Sequence, residues 1–340
     1  MKETKINEFI DDLLSDFSPK QRRVVVGRFG LKNGEVMTLQ AIGDELKITR
    51  ERVRQIEEQA VKKLREKVKA SAAHILEAAV KHLKSVGDIR RDDLFIQDLL
   101  FALKIDSSVK YAEEKLRFIL SVAGVPSHAK EDEKYAAYWY SDEKAKTKFL
   151  DFVKEVTNFL KTGKKQELID KKLYLMHCKD LISCHLLSIP KHFGVNVFGD
   201  FGLATWPEIA PKTIRDKVYL VLKKHEKPLH FEDIAKYINR YGLDKKSAHI
   251  QTVHNELIKD KRFVLVGRGV YALRENGFEA GTVREVIARL LTAHGALHST
   301  EVVNLVNQQR FLKENTILLN LQNRKYFKRL DDGRYKIREA

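Results

Sequence analysis

Arg50, Glu51, Arg54 and Gln55 lie within six consecutive residues of the stretch ITRERVRQIEEQAVKKLR, positions 48 to 65. An arginine fork donates two hydrogen bonds to guanine, a glutamine amide pairs with adenine, and a glutamate accepts from the amino group of cytosine. These four side chains are therefore equipped to read base edges in a DNA major groove. The competing explanation is a solvated, charged helix face on a basic protein.

Base reading requires the four groups to project from an anchored helix. Val53, Ile56, Ala60 and Leu64 recur at spacings of three and four, the stripe through which a helix buries one face. Thr49 stands where an N-cap belongs. With that stripe inward, Arg50, Glu51, Arg54, Gln55 and Glu58 turn outward, while Lys62, Lys63 and Arg65 lie too far along to share the groove. Upstream, Thr38 can cap a short helix bearing Leu39, Ile42 and Leu46. Ser18-Pro19-Lys20-Gln21 combines an N-cap serine, a proline at the first helical position and a glutamine at the capping-box position, and that helix ends at Gly30. A bracing helix, a turn at Lys47-Ile48 and a second helix from Thr49 to Arg65 follow in the order of a helix-turn-helix. Capping, turn and spacing together weigh against the solvated-face explanation.

The chain has 340 residues, enough for two or three domains with real cores. With 43% hydrophobic and 32% charged residues, 17 Gly and 6 Pro, it reads as helix-rich and globular. A net charge of +16 points to a polyanionic partner, and the charge is unevenly placed. Residues 213–340 hold 25 Lys and Arg against 15 Asp and Glu, an excess of 10, whereas residues 1–70 carry +4 and residues 71–212 carry +2. Two cysteines, Cys178 and Cys184, cannot make a disulfide framework, and a reducing cytoplasm is expected. The charged, amphipathic N-terminus lacks the apolar stretch of a secretion signal, and no run reaches transmembrane length, so no membrane association is expected.

Helical patterns cover roughly Ala72–Val86, Asp92–Leu103, Val109–Ala123 and Lys146–Lys161, with an alternating stretch, YAAYWY (135–140), between the third and fourth. Helices followed by a strand pair would suit a winged helix. The aromatic stretch could suggest strand-separating side chains, but Glu131, Asp132, Glu133, Asp142 and Glu143 beside it repel phosphate, so a wing or core strand is expected. His177-Cys178 and Cys184-His185 invite a zinc site. In a helix the pairs would sit about 10 Å apart along the axis, too far for one tetrahedral ion with ligand bonds of roughly 2.0 to 2.3 Å. No metal and no cofactor is expected. The sequence holds no phosphate-binding glycine loop, nucleophile elbow or distinctive carboxylate constellation, so no enzyme is expected either.

The C-terminal part repeats itself. TIRDKVYLVLKKHEKPLHFEDIAKYIN…RFVLVGRGVYAL, within 213–273, aligns with TVREVIARLLTAHGALHSTEVVNLVN…KYFKRLDDGRYKI, within 282–337. Thr213 matches Thr282, Leu229-His230 matches Leu297-His298, Asn239 matches Asn307, Gly269 matches Gly333 and Tyr271 matches Tyr335. Each copy reads as helix, helix, helix and hairpin, a winged helix.

Residues 18–66, especially RFGL, TLQAIGDEL and TRERVRQIE, resemble region 4 of sigma-70-type bacterial sigma factors. The resemblance implies a unit that reads the upstream promoter hexamer in double-stranded DNA and docks on the β flap of core RNA polymerase. Carried over by position, Arg50, Glu51, Arg54 and Gln55 meet bases, while Lys20, Arg28, Arg52 and Thr38 hold the DNA backbone or brace the site. The pattern departs from the family at Lys20, Gln40 and Gln59, which bears on backbone grip and activator contact more than on base contacts. No segment resembles sigma region 2, so a complete sigma factor is not expected.

KPLHFEDIAKYIN followed by HIQTVHNELIKDKRFVLVGRGVYAL resembles the HARE-HTH winged-helix domain of the RNA polymerase δ subunit and of some chromatin and restriction proteins. That resemblance implies contact with DNA or with polymerase, without a settled residue code; the expected contacts are His249, Gln251, Thr252 and Asn255 of the third helix and Lys261, Arg262 and Arg268 near the wing.

The expected architecture is mainly α, with a helix-turn-helix over 1–70, a helical middle over 71–212 that could include a degenerate winged helix, a winged helix over 213–275 and a divergent one over 282–340. The expected function is a sigma-like transcription factor acting with RNA polymerase. A δ-like polymerase accessory protein and a stand-alone repressor are the alternatives. Promoter sequence, direction of regulation and oligomeric state are not legible.

Overall fold

The structure, a computed structural model, describes residues 3–106, 109–178, 181–244 and 246–338. The chain divides into two compact units, Met1–Gly194 with Asp200–Ala204, and Val195–Gly199 with Thr205–Ala340.

The first unit begins with α1 (Glu3–Leu13), α2 (Pro19–Phe29), α3 (Leu39–Leu46) and α4 (Arg50–Ser71). The Ser18 hydroxyl accepts from the Gln21 N–H while the Gln21 side chain accepts from the Ser18 N–H, the reciprocal box that starts α2. Gly30 ends that helix at φ 63°, a left-handed conformation that glycine adopts without steric cost. Thr38 and Thr49 accept from the backbone N–H three residues on and cap α3 and α4. Val24, Ile42, Val53 and Ile56 form a small core holding α2, α3 and the first turns of α4 together.

The rest of α4 enters a larger core. Ala60, Leu64 and Val68 pack in one cluster with Ile10 and Leu13 of α1, with Leu14 just after it, and with residues as distant as Trp139. That cluster also draws on α5 (Ala73–Ser85), α6 (Asp92–Ala102), α7 (Ala112–Ala123) and β3 (Tyr138–Tyr140), and β1 (Ile89–Arg91) and β2 (Ser127–Ala129) flank β3. The three strands form an antiparallel sheet in the order β1-β3-β2. The element order over 73–140 is helix, strand, helix, helix and hairpin, the order expected of a winged helix. YAAYWY supplies the central strand of the sheet. Trp139 is fully buried and its indole N–H donates to Asp92 Oδ1 at 2.8 Å, so these aromatics serve the core.

Downstream come α8 (Glu143–Thr162), α9 (Lys165–Asp170), a 3₁₀ turn (Leu173–Met176), α10 (Leu181–Leu186) and the short pair β4 (Phe193–Val195) and β5 (Phe201–Leu203). Phe149 of α8 packs on Tyr135 and Tyr138. His177 follows the 3₁₀ turn and Cys184 sits in α10, so the histidine–cysteine pairs do not share one helix as the spacing argument assumed. Among the described residues, no group of three or more His, Cys, Asp or Glu side chains could hold a metal ion.

The second unit carries α11 (Ile214–His225), β6 (Leu229–His230), α12 (Phe231–Arg240), α13 (Ile250–Lys259), β7 (Phe263–Gly267) and β8 (Val270–Leu273), with sheet order β6-β8-β7. Next come α14 (Val283–His294), α15 (Ser299–Gln309), α16 (Glu314–Leu321), β9 (Phe327–Arg329) and β10 (Tyr335–Ile337). The repeated residues do the same work in both copies. Thr213 and Thr282 each close a capping box, with Asp216 and Glu285, and His230 and His298 each cap a second helix. Gly269 and Gly333 take positive φ, 69° and 86°, in the hairpin turns. Leu229 pairs with Tyr271 in one copy as Leu297 bridges to Tyr335 in the other.

The two copies are clamped together by Arg310, only 3% exposed. Its guanidinium donates to the carbonyls of Leu265 (2.7 Å), Glu279 (2.6 Å) and Gly281 (3.0 Å), and the next N–H, Phe311, donates to Val266 O at 2.9 Å. A buried charge satisfied by three carbonyls avoids the cost of an unpaired one.

Candidate nucleic-acid interface

Two helices meeting at a tight turn set the geometry of the first site. Lys47 takes φ 56°, and the Ile48 N–H donates to Gly43 O at 2.9 Å, swinging the chain from α3 into α4. Gly43 leaves room for this turn, since a Cβ there would stand 2.7 Å from Ile48 O. Sequence reasoning passed over Gly43, although an isolated glycine inside the helical pattern LQAIGDEL is itself a sign of close packing.

With Val53, Ile56, Ala60 and Leu64 at 6% exposure or less, α4 is held on one side along its first four turns. Arg50, Glu51, Arg54 and Gln55 are all exposed on the other. Arg54 is not idle: Nη2 donates to Glu51 Oε1 at 2.7 Å, and Nη1 reaches Glu58. Hydrogen bonding to Arg54 holds the Glu51 carboxyl below its ordinary range, and the same bond raises Arg54. Arg52 Nη1 donates to Gln55 Oε1 at 3.0 Å, which leaves the Gln55 amide N–H groups directed elsewhere. These exposed links are weak compared with a desolvated contact to a base edge.

Of the expected backbone contacts, Lys20 and Thr38 are exposed, and Arg52 is exposed on α4. The Thr38 hydroxyl accepts from Ala41 N–H and can still donate to phosphate. Arg28 turns inward instead. Its Nε donates to Glu57 at 2.9 Å and its Nη1 to Met37 O at 2.6 Å, a geometry that braces α4 against the loop after α2. Glu57, its partner, falls outside the buried stripe and was not legible as a brace. Arg23 and Glu45 form a second tie between α2 and α3, with Nε and Oε1 2.6 Å apart.

In the 214–273 winged helix, His249, Gln251, Thr252 and Asn255 are exposed on or just before α13, over buried Val253 and Leu257. Gln251 and Asn255 are joined side chain to side chain at 3.1 Å. Lys261, Arg262 and Arg268 are exposed as well, but Arg262 is engaged: it chelates Asp260 and lies 4.9 Å over the Tyr219 ring. Among the described residues Arg268, at the β7–β8 turn, is in no ion pair and is the more available cation. No helix among the described residues is long and apolar enough to cross a membrane.

Comparison with known proteins falls on the same two segments. Residues 13–66 match the family model described as Sigma-70, region 4, and residues 212–276 match HARE-HTH, the helix-turn-helix domain described for ASXL and restriction endonuclease proteins. RNA polymerase sigma factor SigA of Lactococcus lactis subsp. cremoris is 42% identical over 60 residues, 18% of this chain and 16% of that protein. SigA1 of Synechococcus elongatus is 45% identical over 60 residues, covering 18% and 15%. Sigma factor sigB of Arabidopsis thaliana is 41% identical over 58 residues, covering 17% and 10%. The chain thus spans about a sixth or less of the length of these curated relatives. Both family matches are to DNA-related helix-turn-helix units rather than catalytic domains. The polypeptide therefore joins a segment that matches sigma-70 region 4 to a segment that matches HARE-HTH, each folded as a helix-turn-helix unit.

Proposed function

We propose that this protein is a transcription factor that recognises promoter DNA through α4 and acts with RNA polymerase in initiation or its regulation. The observation that carries the reading is the capped first turn of α4, which presents Arg50, Glu51, Arg54 and Gln55 to solvent above a buried apolar stripe. The matching relatives are named as RNA polymerase sigma factors, which supports a polymerase partner. One recognition helix making three or four base contacts discriminates too weakly to find one site among the roughly 10⁶ or more competing sites of a genome. Polymerase, or further DNA-binding modules on the same chain, raises the effective concentration and supplies the rest.

Packing within the first unit bears on where polymerase would bind. The apolar sides of α2 and α4 that face away from α3 are packed against α7, as Phe29 edge-on to Phe118 at 4.9 Å illustrates. Docking on the β flap would therefore use exposed surface of this unit, not that covered face. Purification of the tagged full-length protein from its own cells, scoring core polymerase subunits and bound DNA together, tests the proposal. Both should co-purify. DNA without polymerase would favour a stand-alone repressor, and polymerase without promoter DNA would favour a δ-like accessory protein.

A further inference from the structure

The last winged helix, 283–337, lies outside both family matches, and its charge is distributed unlike that of a helix that reads DNA. Its third helix, α16, has the sequence ENTILLNL: no lysine or arginine, one glutamate, and Leu319 at 70% exposure. Cations gather instead on the hairpin that follows. Arg324, Lys325, Lys328, Arg329 and Arg338 are all exposed, and among the described residues none of them is in a salt bridge. Arg334 beside them differs, being tied to Asp332 at 2.7 Å.

We propose that this hairpin, and not α16, is a second DNA contact of the protein: a sequence-independent grip on the phosphates of a duplex. The strand register sets Lys328 opposite Lys336. Residues directly opposite across an antiparallel pair share a face, so these two lysines stand on one side of the hairpin. The same residues border a groove of about 910 Å³ whose lining includes Arg324, Lys328, Arg329, Lys336 and Arg338. Behind the hairpin, Phe327 is buried in the domain core, so the cations are mounted on an anchored element.

Duplex DNA fits better than single-stranded nucleic acid, which is held largely by bases stacking on open aromatic faces. The exposed aromatic of this segment, Tyr326, already carries the Arg284 guanidinium 4.4 Å over its ring. An acidic protein surface would satisfy the charge as well, and competition with an acidic peptide separates it from duplex DNA. The proposal rests on the reading that the chain binds DNA, and adds where its non-specific affinity resides.

The test is fluorescence anisotropy of the full-length protein on a random-sequence duplex across a salt series. Arg324→Ala/Lys328→Ala/Arg329→Ala should lower the magnitude of the log K against log salt slope by about 3, with affinity falling on the order of tenfold or more. The loss should be equal on random and selected sequences. The swap Lys328→Arg/Arg329→Lys should keep the slope, which separates lost charge from lost folding. Asn315→Ala/Leu319→Ala on α16 should leave affinity within about twofold. An unchanged slope in the triple variant, or a larger loss from the α16 variant, would overturn the inference while leaving the reading of α4 intact. So would a hairpin-dependent preference for single-stranded RNA or for an acidic peptide over duplex DNA. Failure of the unaltered protein to bind any duplex would sink both readings.

Discussion

Arg54 is where a charged helix face and a reading head make opposite predictions. In the free protein its guanidinium bonds Glu51 and reaches Glu58, with the three side chains 46%, 58% and 63% exposed. Ion pairs this open, at helical spacings of three and four, each stabilise by a factor of about two. Swinging Arg54 onto a guanine thus forfeits a factor of about four at most. A bidentate contact to guanine discriminates against the wrong base pair by roughly 5- to 150-fold, so the contact wins. Selection from a random duplex pool would give a preferred sequence, and competition anisotropy would then score single base-pair changes in it. Arg54→Ala should reduce discrimination at one base pair by about 10- to 100-fold and leave the others nearly unchanged. Arg54→Lys keeps the charge but loses the planar fork, so it should lose the same discrimination while retaining most non-specific affinity. If the lysine variant still discriminates, or if the alanine variant weakens every sequence equally, Arg54 is a solvated or phosphate-facing charge and the assignment of α4 fails.

Three further outcomes are expected. Gly43→Ala places a methyl group 2.7 Å from Ile48 O; overpacking outweighs the gain in helix propensity, for a net loss of about 1–2 kcal/mol seen as an earlier urea midpoint. Arg310→Met removes a charged donor from three carbonyls and should cost about 3 kcal/mol, with calorimetry of the variant resolving separate transitions for the two C-terminal winged helices. Burial alone would raise Asp92, but His128, Arg117 and the Trp139 indole outweigh it and hold its carboxyl down at about 2 from 3.8. A depressed acid stabilises above its unfolded pKa, so about 2 kcal/mol should be present above pH ~4 and lost as pH falls through ~2. Urea titrations should show that window flattened in Asp92→Asn, and an unaltered pH profile would count against the coupling.

Caps and local stripes were legible because they are written in neighbouring residues. Ser18, Thr38 and Thr49 start the helices the sequence assigns to them. The sheet of the middle region was only half legible for a physical reason. Alternation in YAAYWY showed one strand, but β1 and β2 are three residues long, too short to show a period, and Ile89 finds its partner at Tyr140, across two helices. Periodicity also cannot tell which core a buried side chain enters. A limit drawn at residue 70 sits at the end of α4, yet Ile56 and Ala60 on that one helix belong to different clusters. At the candidate site, the outward set was readable from spacing, whereas the brace from Arg28 to Glu57 and the room made by Gly43 depend on contacts between elements.

The length of α4 has a mechanical consequence. Its 22 residues form one uninterrupted rod of about 33 Å, with its first turns carrying the exposed candidate readers and its last turns sunk in the core shared with α5, α6 and α7. There is no hinge between the reading end and the body, so the helix works as an axle. On the proposed reading, any bend or twist in a bound duplex would be delivered as torque on the whole first unit, and anything that reorients that unit would turn the reading end with it.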